Sequence, residues 1–427
     1  MVEHGRIPHE DIYSFTAAGT HWVVQSWLAE LAYGLFDRAF GALGVRVLGA
    51  VTGALIAAFA YRLALRLSGD RLRAFWLTLG AIAASFTLWS ERPLFLGILA
   101  LVGLLWLVEV PDSPFGGRPL VALPALMWLW INVHGTFALG FTYVGLHLLG
   151  RWAEGAPPWS GRERDILRAT LLALAVCLVN PFGPALLVFP LELLRRGDIL
   201  KDVVEWASPN FRSVQGITFA AWLAVFASCL ALAPRRPSRR DVIVTVPFLL
   251  LALWAQRNIA LAPLVGLPVA ARLTAATRPR PDPVGPVNRM LAVVVVAFGV
   301  LMSAEALGQP DFDLEKYPVK AMRAVEAQGL LGQRLLTNDS WGGYLIARWW
   351  PEQKVFLDDR YDMYPTAITN DFVRFTRLKR GWEEVLERYR IDVVVWRQDH
   401  PVSRFLERDP GWKQVYRDRL AVVLVRS

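Results

Sequence analysis

The residues best suited to acid–base chemistry stand at the start of the chain, in the stretch MVEHGRIPHEDIYSFTAAGTHWVVQSWLAE. It holds carboxylates and imidazoles that can accept or donate a proton, among them Asp11, His21 and Glu30. Three of the chain's six histidines fall here. We therefore expect this segment to lie over one membrane face and to supply acid–base groups there.

A second group of polar residues stands at the ends of apolar runs. Charged and amide groups at such positions are costly to leave in lipid, so they are expected to face a water-filled cavity or to pair with each other. A single Arg or His there is also typical of a snorkelling group or a helix cap, which leaves each residue a structural alternative. The group comprises Arg92, Asn132, His134, Glu205, Arg257 and Asn258.

A third cluster follows a predicted strand near the C-terminus. The segment DDRYD places Asp358 and Arg360 where that strand ends. Ligands of α/β sheets commonly bind at the carboxyl ends of strands, so we expect these two residues to contribute to binding. A solvated loop whose charges pair with one another is the structural alternative.

The elements that must position these groups are mostly apolar. The chain has 427 residues, 54% of them hydrophobic, and a mean hydropathy of +0.35. About 20 apolar residues in a helix cross the hydrocarbon core, and ten runs approach that length. We therefore predict an α-helical polytopic membrane protein with about ten transmembrane helices. The runs lie near 44–67, 72–90, 94–110, 119–133, 136–150, 166–180, 216–233, 241–256, 258–274 and 289–306.

Basic residues in the linkers predict the orientation. Alternate linkers hold sixteen basic residues against six in the others, and the richer set is expected in the cytoplasm. The N-terminal segment and the C-terminal tail would then lie outside. The net charge of +9 does not indicate nucleic acid, because no soluble segment has a basic stripe interleaved with aromatics. The two cysteines, both in apolar runs, indicate neither a disulfide framework nor a cysteine metal site.

The composition changes near residue 310, where charged residues and short alternating elements begin. Segments 334–339, 354–359, 392–396, 412–416 and 420–425 have the pattern of strands, with helical patterns between them, which predicts a small α/β domain with a mixed sheet. The predicted organisation is therefore an extracytoplasmic loop with an amphipathic helix at 1–40, a transmembrane helical domain at 41–308, and an extracytoplasmic α/β domain at 309–427.

Several segments together resemble the GT-C superfamily of membrane glycosyltransferases, and more closely a bacterial group of predicted GT-C-like proteins. The matching pieces cover nearly the whole chain: GRIPHEDIYSFTAAGTHWVVQSWLAE, ERP at 91–93, WINVHG at 130–135, NPFG at 180–183, EWASPNFRS at 205–213, QRNIALAPL at 256–264, NDSWGGYLIARWW and VFLDDRYDMY. Related chains usually begin with an additional span and an acidic loop motif. We expect this sequence to be truncated relative to them, without the carboxylates most comparable to the GT-C catalytic Asp.

The resemblance implies transfer of a sugar from a polyprenyl-phosphate donor on the extracytoplasmic face of the cytoplasmic membrane. Such a transfer needs a base for the acceptor hydroxyl and charge stabilisation for the departing phosphate. Asp11 would be the base, with Glu30 second. Arg92 and Arg257 could hold the phosphate, because guanidinium makes bidentate contacts with it. Asn132 and His134 could bind sugar hydroxyls. A divalent metal could lie between the outer carboxylates, although no ligand spacing requires one.

Two other functions remain open. The chain could be a transporter or flippase for a lipid-linked or anionic substrate, which would favour charged residues in mid-span and broken helices in symmetric pairs. It could also be a catalytically inactive membrane scaffold that presents its α/β tail. The sugar and the acceptor, whether lipid, glycan or protein, are not identified by the sequence.

Overall fold

The computed structural model describes residues 1–2, 5–90, 92–197, 204–275 and 313–427. These residues form two compact units. Among the described residues, the helical unit comprises 1–2, 5–6, 25–90, 92–195 and 204–275, and the C-terminal unit comprises 7–24, 196–197 and 313–427. Most of the acidic and aromatic N-terminal segment therefore belongs to the C-terminal unit.

The helical unit is built from helices joined by short turns. They are α1 (Trp27–Phe40), α2 (Ala42–Ser68), α3 (Arg71–Ser85), α4 (Pro93–Glu109), α5 (Pro119–Val133), α6 (Phe137–Ala153), α7 (Gly161–Val176), α8 (Pro184–Arg195), α9 (Val214–Leu232), α10 (Arg239–Trp254) and α11 (Ala262–Leu273). Three 3₁₀ turns, Phe86–Leu88, Val204–Trp206 and Gln256–Ala260, lie between helices of this unit.

The prediction of about ten transmembrane helices is wrong. Within the described residues only α2 and α9 are long and apolar enough to cross a membrane. Helices α4 and α5 have 17 and 15 residues, because each begins at a proline in its first turn and ends in a cap soon after its apolar run. At 1.5 Å per residue such helices reach only ~25 Å, short of the ~30 Å hydrocarbon core. The predicted run at 289–306 lies outside the described residues.

Burial explains why so many runs looked like spans. Nearly every residue of α11 is buried, as are ten residues of α4, so these helices form the core of the unit. A core helix is apolar on all sides, as a membrane span is, and composition does not separate the two. In the most apolar part of α2 and of α9, only 22% of the residues are buried. Large side chains such as Val51 and Phe59 are therefore exposed on α2.

The C-terminal unit is an α/β domain with a mixed sheet. Its strands are β1 (Leu335–Thr337), β2 (Val393–Arg397), β3 (Trp412–Arg417) and β4 (Ala421–Arg426), in the order β1-β2-β4-β3. The β1–β2 pair is parallel and the other two pairs are antiparallel. The helices are α12 (Val319–Ala327), α13 (Asp339–Trp349), α14 (Thr366–Thr376), α15 (Glu383–Arg388) and α16 (Pro401–Leu406).

Residues Ile7–Val24 extend this sheet past β1. Val355 forms parallel bridges with Leu335 on one side and Ser14 on the other. The Phe15 amide donates to the Val355 carbonyl at 3.0 Å, and the Val355 amide donates to the Tyr13 carbonyl at 3.1 Å. The predicted strand at 354–359 is thus reduced to isolated bridges. The N-terminal segment completes a domain whose other strands lie more than 300 residues further along the chain.

Candidate functional site

The most unusual polar group of the helical unit is the guanidinium of Arg257. It is half-buried and stacks over the Trp206 ring, 4.6 Å from the ring centroid. No described residue forms a hydrogen bond or an ion pair with it. The charge of Glu205 acts on this guanidinium, but the two groups form no ion pair. A partly desolvated cation held on an aromatic face without an ion pair is an available ligand for an anion.

The 3₁₀ turns Val204–Trp206 and Gln256–Ala260 bring Trp206 and Arg257 together. The backbone amide of Gln256 donates to the Ala207 carbonyl at 2.9 Å, which ties the second of these turns to the first. Glu205, next to Trp206, pairs with Arg92 at 2.6 Å. Both of these side chains are well exposed, so water screens their attraction. Both cations predicted to bind phosphate therefore lie near Glu205. Arg92 forms an ion pair with this carboxylate, whereas Arg257 is affected by its charge without an ion pair.

His134 lies close enough to Arg257 to be affected by its charge. Burial, followed by the positive charge of Arg257, lowers the pKa of His134 to about 3. The ring is therefore neutral at neutral pH. Its Nδ1 accepts the Thr136 amide at 3.1 Å, which leaves the proton on Nε2. The Thr136 hydroxyl, 3.0 Å from the same nitrogen, also accepts from the Trp130 indole at 3.0 Å. His134 can thus offer a neutral N–H donor.

Helix α1 places three residues of one helical face, Trp27, Glu30 and Tyr33, beside the helix ends that carry Asn132 and Arg92. The Trp27 indole donates to the Asn132 amide oxygen at 2.7 Å, and the Tyr33 hydroxyl donates to the Arg92 carbonyl at 3.0 Å. Glu30 lies three residues from each of them, so the helical period places it on the face between these contacts. Its carboxylate accepts from the Ser26 hydroxyl at 3.0 Å. Six predicted site residues, Glu30, Arg92, Asn132, His134, Glu205 and Arg257, therefore border one region of the helical unit.

The two asparagines predicted to bind substrate serve the fold. Asn132 is fully buried, and besides accepting from Trp27 it donates to the Trp128 carbonyl at 2.7 Å. Asn258 donates to the Leu251 carbonyl at 3.0 Å, near the C-terminal end of α10. Both amides thereby hold neighbouring elements in place.

Asp11, Asp358 and Arg360 come together in the C-terminal unit. Arg360 lies 3.0 Å from Asp11 and 2.7 Å from Asp358, and both carboxylates are 1% exposed. The guanidinium also stacks on Tyr13 and Trp22, at 5.0 and 4.6 Å from the ring centroids. Asp11 further accepts hydrogen bonds from the amides of Tyr13 and Ser14 and from the Ser14 hydroxyl. This ion cluster therefore anchors the N-terminal segment.

Asp362 is a carboxylate of this unit whose pKa lies well above its usual range. Burial raises its pKa to about 6, against the opposing effect of the Arg360 and Arg196 charges. Arg196 donates to the backbone carbonyls of Asp362 at 2.6 Å and Tyr364 at 3.1 Å, and burial raises the pKa of the Tyr364 hydroxyl. Asp362 is therefore a carboxylate that takes up a proton in mild acid.

A buried ion network in the helical unit was not anticipated. Arg272 bridges Glu109 at 2.6 Å and Asp241 at 2.5 Å, while Arg240 pairs with the same two carboxylates. The Tyr143 hydroxyl donates to Glu109. These charges balance and tie the ends of α4, α10 and α11 together. Glu109 at the end of an apolar run was the available signal, but its partners lie far away in sequence.

No protein-family model matches the chain, and no curated protein matches it. Among the residues that the structure describes, no three His, Cys, Asp or Glu side chains are grouped so that they could hold a metal ion.

Proposed function

We propose that this protein is a membrane enzyme that transfers a sugar from a polyprenyl-phosphate donor to an acceptor hydroxyl, with Arg257 holding the donor phosphate. The observation that carries the proposal is the half-buried Arg257 guanidinium, which has Trp206 beneath it and forms no ion pair or hydrogen bond with a described residue. A guanidinium in this state matches the charge and geometry of phosphate oxygens.

The neighbours of Arg257 suit the same reaction. His134 stays neutral and keeps a proton on Nε2, so it can donate to a phosphate or sugar oxygen without adding charge. Arg92 supplies a second cation at the exposed rim, where it can exchange Glu205 for a substrate phosphate. Donors and cations arranged before the substrate arrives stabilise the charge that develops on the leaving phosphate.

Glu30 is the carboxylate we assign as the base for the acceptor hydroxyl. It lies on the face of α1 between the residues that contact Asn132 and Arg92. Asp11 is unsuited to this role because its carboxylate is buried, accepts three hydrogen bonds and pairs with Arg360. The assignment of the base therefore moves from Asp11 to Glu30.

We also propose that the helical unit lies in the cytoplasmic membrane, with the end that carries Arg257 outside. Helices α2 and α9, with 27 and 19 residues, are long and apolar enough to cross a membrane. Exposed apolar side chains on α2 and α9, such as Leu232 at 83%, would face lipid. A soluble protein rarely exposes such continuous apolar surface.

The test is sugar transfer in membranes from cells that express the full chain, with endogenous acceptors and labelled sugars on polyprenyl phosphate. We expect Glu30→Gln to lower the rate by about 10²-fold or more, the usual contribution of a general base. Arg257→Gln should lower it by about 10- to 100-fold, which is the value of a charged hydrogen bond. Asp37→Asn and Arg38→Gln are matched controls, because both side chains are exposed on α1. Absence of transfer from every donor by the wild-type chain would reject the proposal.

A further inference from the structure

We propose that the opposite end of the helical unit is a binding surface for the headgroups of anionic phospholipids. This surface, here called the arginine-rich end, is formed by the last turns of α2, α4, α6, α9 and α11. It also includes the linkers after α4, α6 and α9 and the first turns of α5, α7 and α10. The inference shares with the proposed function only the placement of the helical unit in a membrane.

Contacts between distant residues show that these turns meet at one end. Arg66 at the end of α2 pairs with Asp112, just beyond α4. Arg162 at the start of α7 donates to the Leu107 carbonyl of α4 at 2.8 Å, and Arg239 at the start of α10 donates to the Ala153 carbonyl of α6 at 3.1 Å. The arginines of at least four linkers are thus gathered on one surface.

The buried charges of this end are satisfied, but some of its exposed arginines are not. Arg240 and Arg272 are neutralised by Glu109 and Asp241. By contrast, Arg118, Arg235 and Arg236 are exposed, and among the described residues their guanidinium groups form no hydrogen bond or ion pair. Three unpaired cations on one end of a unit attract anions, and the attraction falls within a Debye length of the surface.

The apolar residues beside these arginines indicate what kind of anion they bind. Phe115 and Val121 flank Arg118 with 62% and 70% of their surface exposed, and Leu232 precedes Arg235 with 83% exposed. Exposed apolar side chains next to arginines match a bilayer interface, where acyl chains lie beside charged headgroups. Trp152 and Trp159, both exposed and in edge contact at 5.8 Å, fit the aromatic belt of the same interface. A free phosphate ion would give the apolar residues no role.

The test is the preference of the reconstituted full chain for spin-labelled phosphatidylglycerol over spin-labelled phosphatidylcholine, measured by electron paramagnetic resonance. An arginine near a membrane surface strengthens anionic binding about fivefold, so we expect a wild-type preference of about fivefold or more. The triple variant Arg118→Gln, Arg235→Gln and Arg236→Gln should bind both lipids equally. The matched control is Arg380→Gln, Arg404→Gln and Arg408→Gln, which removes three exposed charges from the C-terminal unit and should keep the preference.

Salt dependence and an Arg→Lys variant test the same surface without removing its charges. If the triple variant misfolds, the wild-type preference should still fall toward one in 0.5 M NaCl, and the Arg→Lys triple variant should retain it. Equal binding of the two lipids by the wild-type chain would overturn the inference, as would loss of preference in the control variant. Sugar transfer should be unchanged in the triple variant, so failure here is distinguishable from failure of the proposed function.

Discussion

Replacing Arg360 by methionine should release the N-terminal segment from the C-terminal unit. The Arg360 guanidinium is the only described cation within ion-pair distance of the Asp11 and Asp358 carboxylates, which are both 1% exposed. Methionine preserves much of the side-chain volume beside Tyr13 and Trp22 but removes the charge. Two carboxylates would then be buried close together without a counter-ion.

The expected cost follows from this burial. Removing one partner of a buried ion pair costs about 3–5 kcal/mol, because the remaining charge is left desolvated. The cation contacts with Tyr13 and Trp22 would add about 1 kcal/mol. By contrast, Arg417 pairs with Glu407 at a surface where 44% of the arginine side chain is exposed, and its loss should cost about 0–1 kcal/mol.

Hydrogen exchange followed by mass spectrometry measures this difference at the affected residues. The amide of Phe15, which donates to Val355, reports opening of the N-terminal segment. We expect Arg360→Met to accelerate exchange of that peptide by about 100-fold or more, since 1.4 kcal/mol is about tenfold. Arg417→Met should change it by less than about fivefold. Adding Asp11→Asn and Asp358→Asn to Arg360→Met should restore part of the protection. Equal exchange in Arg360→Met and Arg417→Met would refute the anchoring role.

Two further predictions concern the C-terminal unit. The folded-state pKa of Asp362, about 6, lies above its ordinary value of 3.8, so the folded state binds the proton more tightly. The free energy of unfolding of the unit in urea should therefore rise by about 1–3 kcal/mol as pH falls from 7 to 4. Asp362→Asn should remove this rise. A wild-type stability that does not change with pH would contradict the prediction. A Cβ added at Gly342 would lie 2.7 Å from Asp358 Cβ and 2.8 Å from the Leu357 carbonyl oxygen, whereas one added at Gly343 would meet nothing within 4 Å. Gly342→Ala should thus lower the free energy of unfolding in urea by about 1–3 kcal/mol. Gly343→Ala should raise it by about 0.5–1 kcal/mol. Equal effects of the two substitutions would show that the approach of Gly342 to Asp358 and Leu357 does not exclude a side chain.

Local patterns predicted the C-terminal unit well, because its strands are short apolar runs flanked by turn residues. The predicted strands at 392–396, 412–416 and 420–425 overlap β2, β3 and β4. The number of transmembrane helices could not be predicted in this way, since an apolar run marks burial and does not distinguish lipid from a protein core. The predicted runs at 94–110 and 119–133 do form helices, α4 and α5, but these have 17 and 15 residues and are too short to cross a membrane.

The candidate site, too, could be predicted only in part from the sequence. Polar residues at the ends of apolar runs were expected to converge, and Arg92, His134, Glu205 and Arg257 do border one region. No spacing rule could show that Asp11 would pair with Arg360, 349 positions away, and so be unsuited as a base. Pairing across such distances depends on the tertiary fold, which local sequence does not encode.

Arg257 is the residue that we propose holds the phosphate of a polyprenyl lipid. Its most direct test is the affinity of the purified full chain for polyprenyl phosphate, with the uncharged polyprenol as reference. We predict that Arg257→Gln weakens polyprenyl phosphate binding by about 10- to 100-fold and leaves polyprenol binding unchanged, because a charged hydrogen bond is worth about 1.5–3 kcal/mol. Arg38→Gln, an exposed change on α1, should bind both lipids as the wild type does. Equal polyprenyl phosphate affinity in the wild type and Arg257→Gln would contradict the claim.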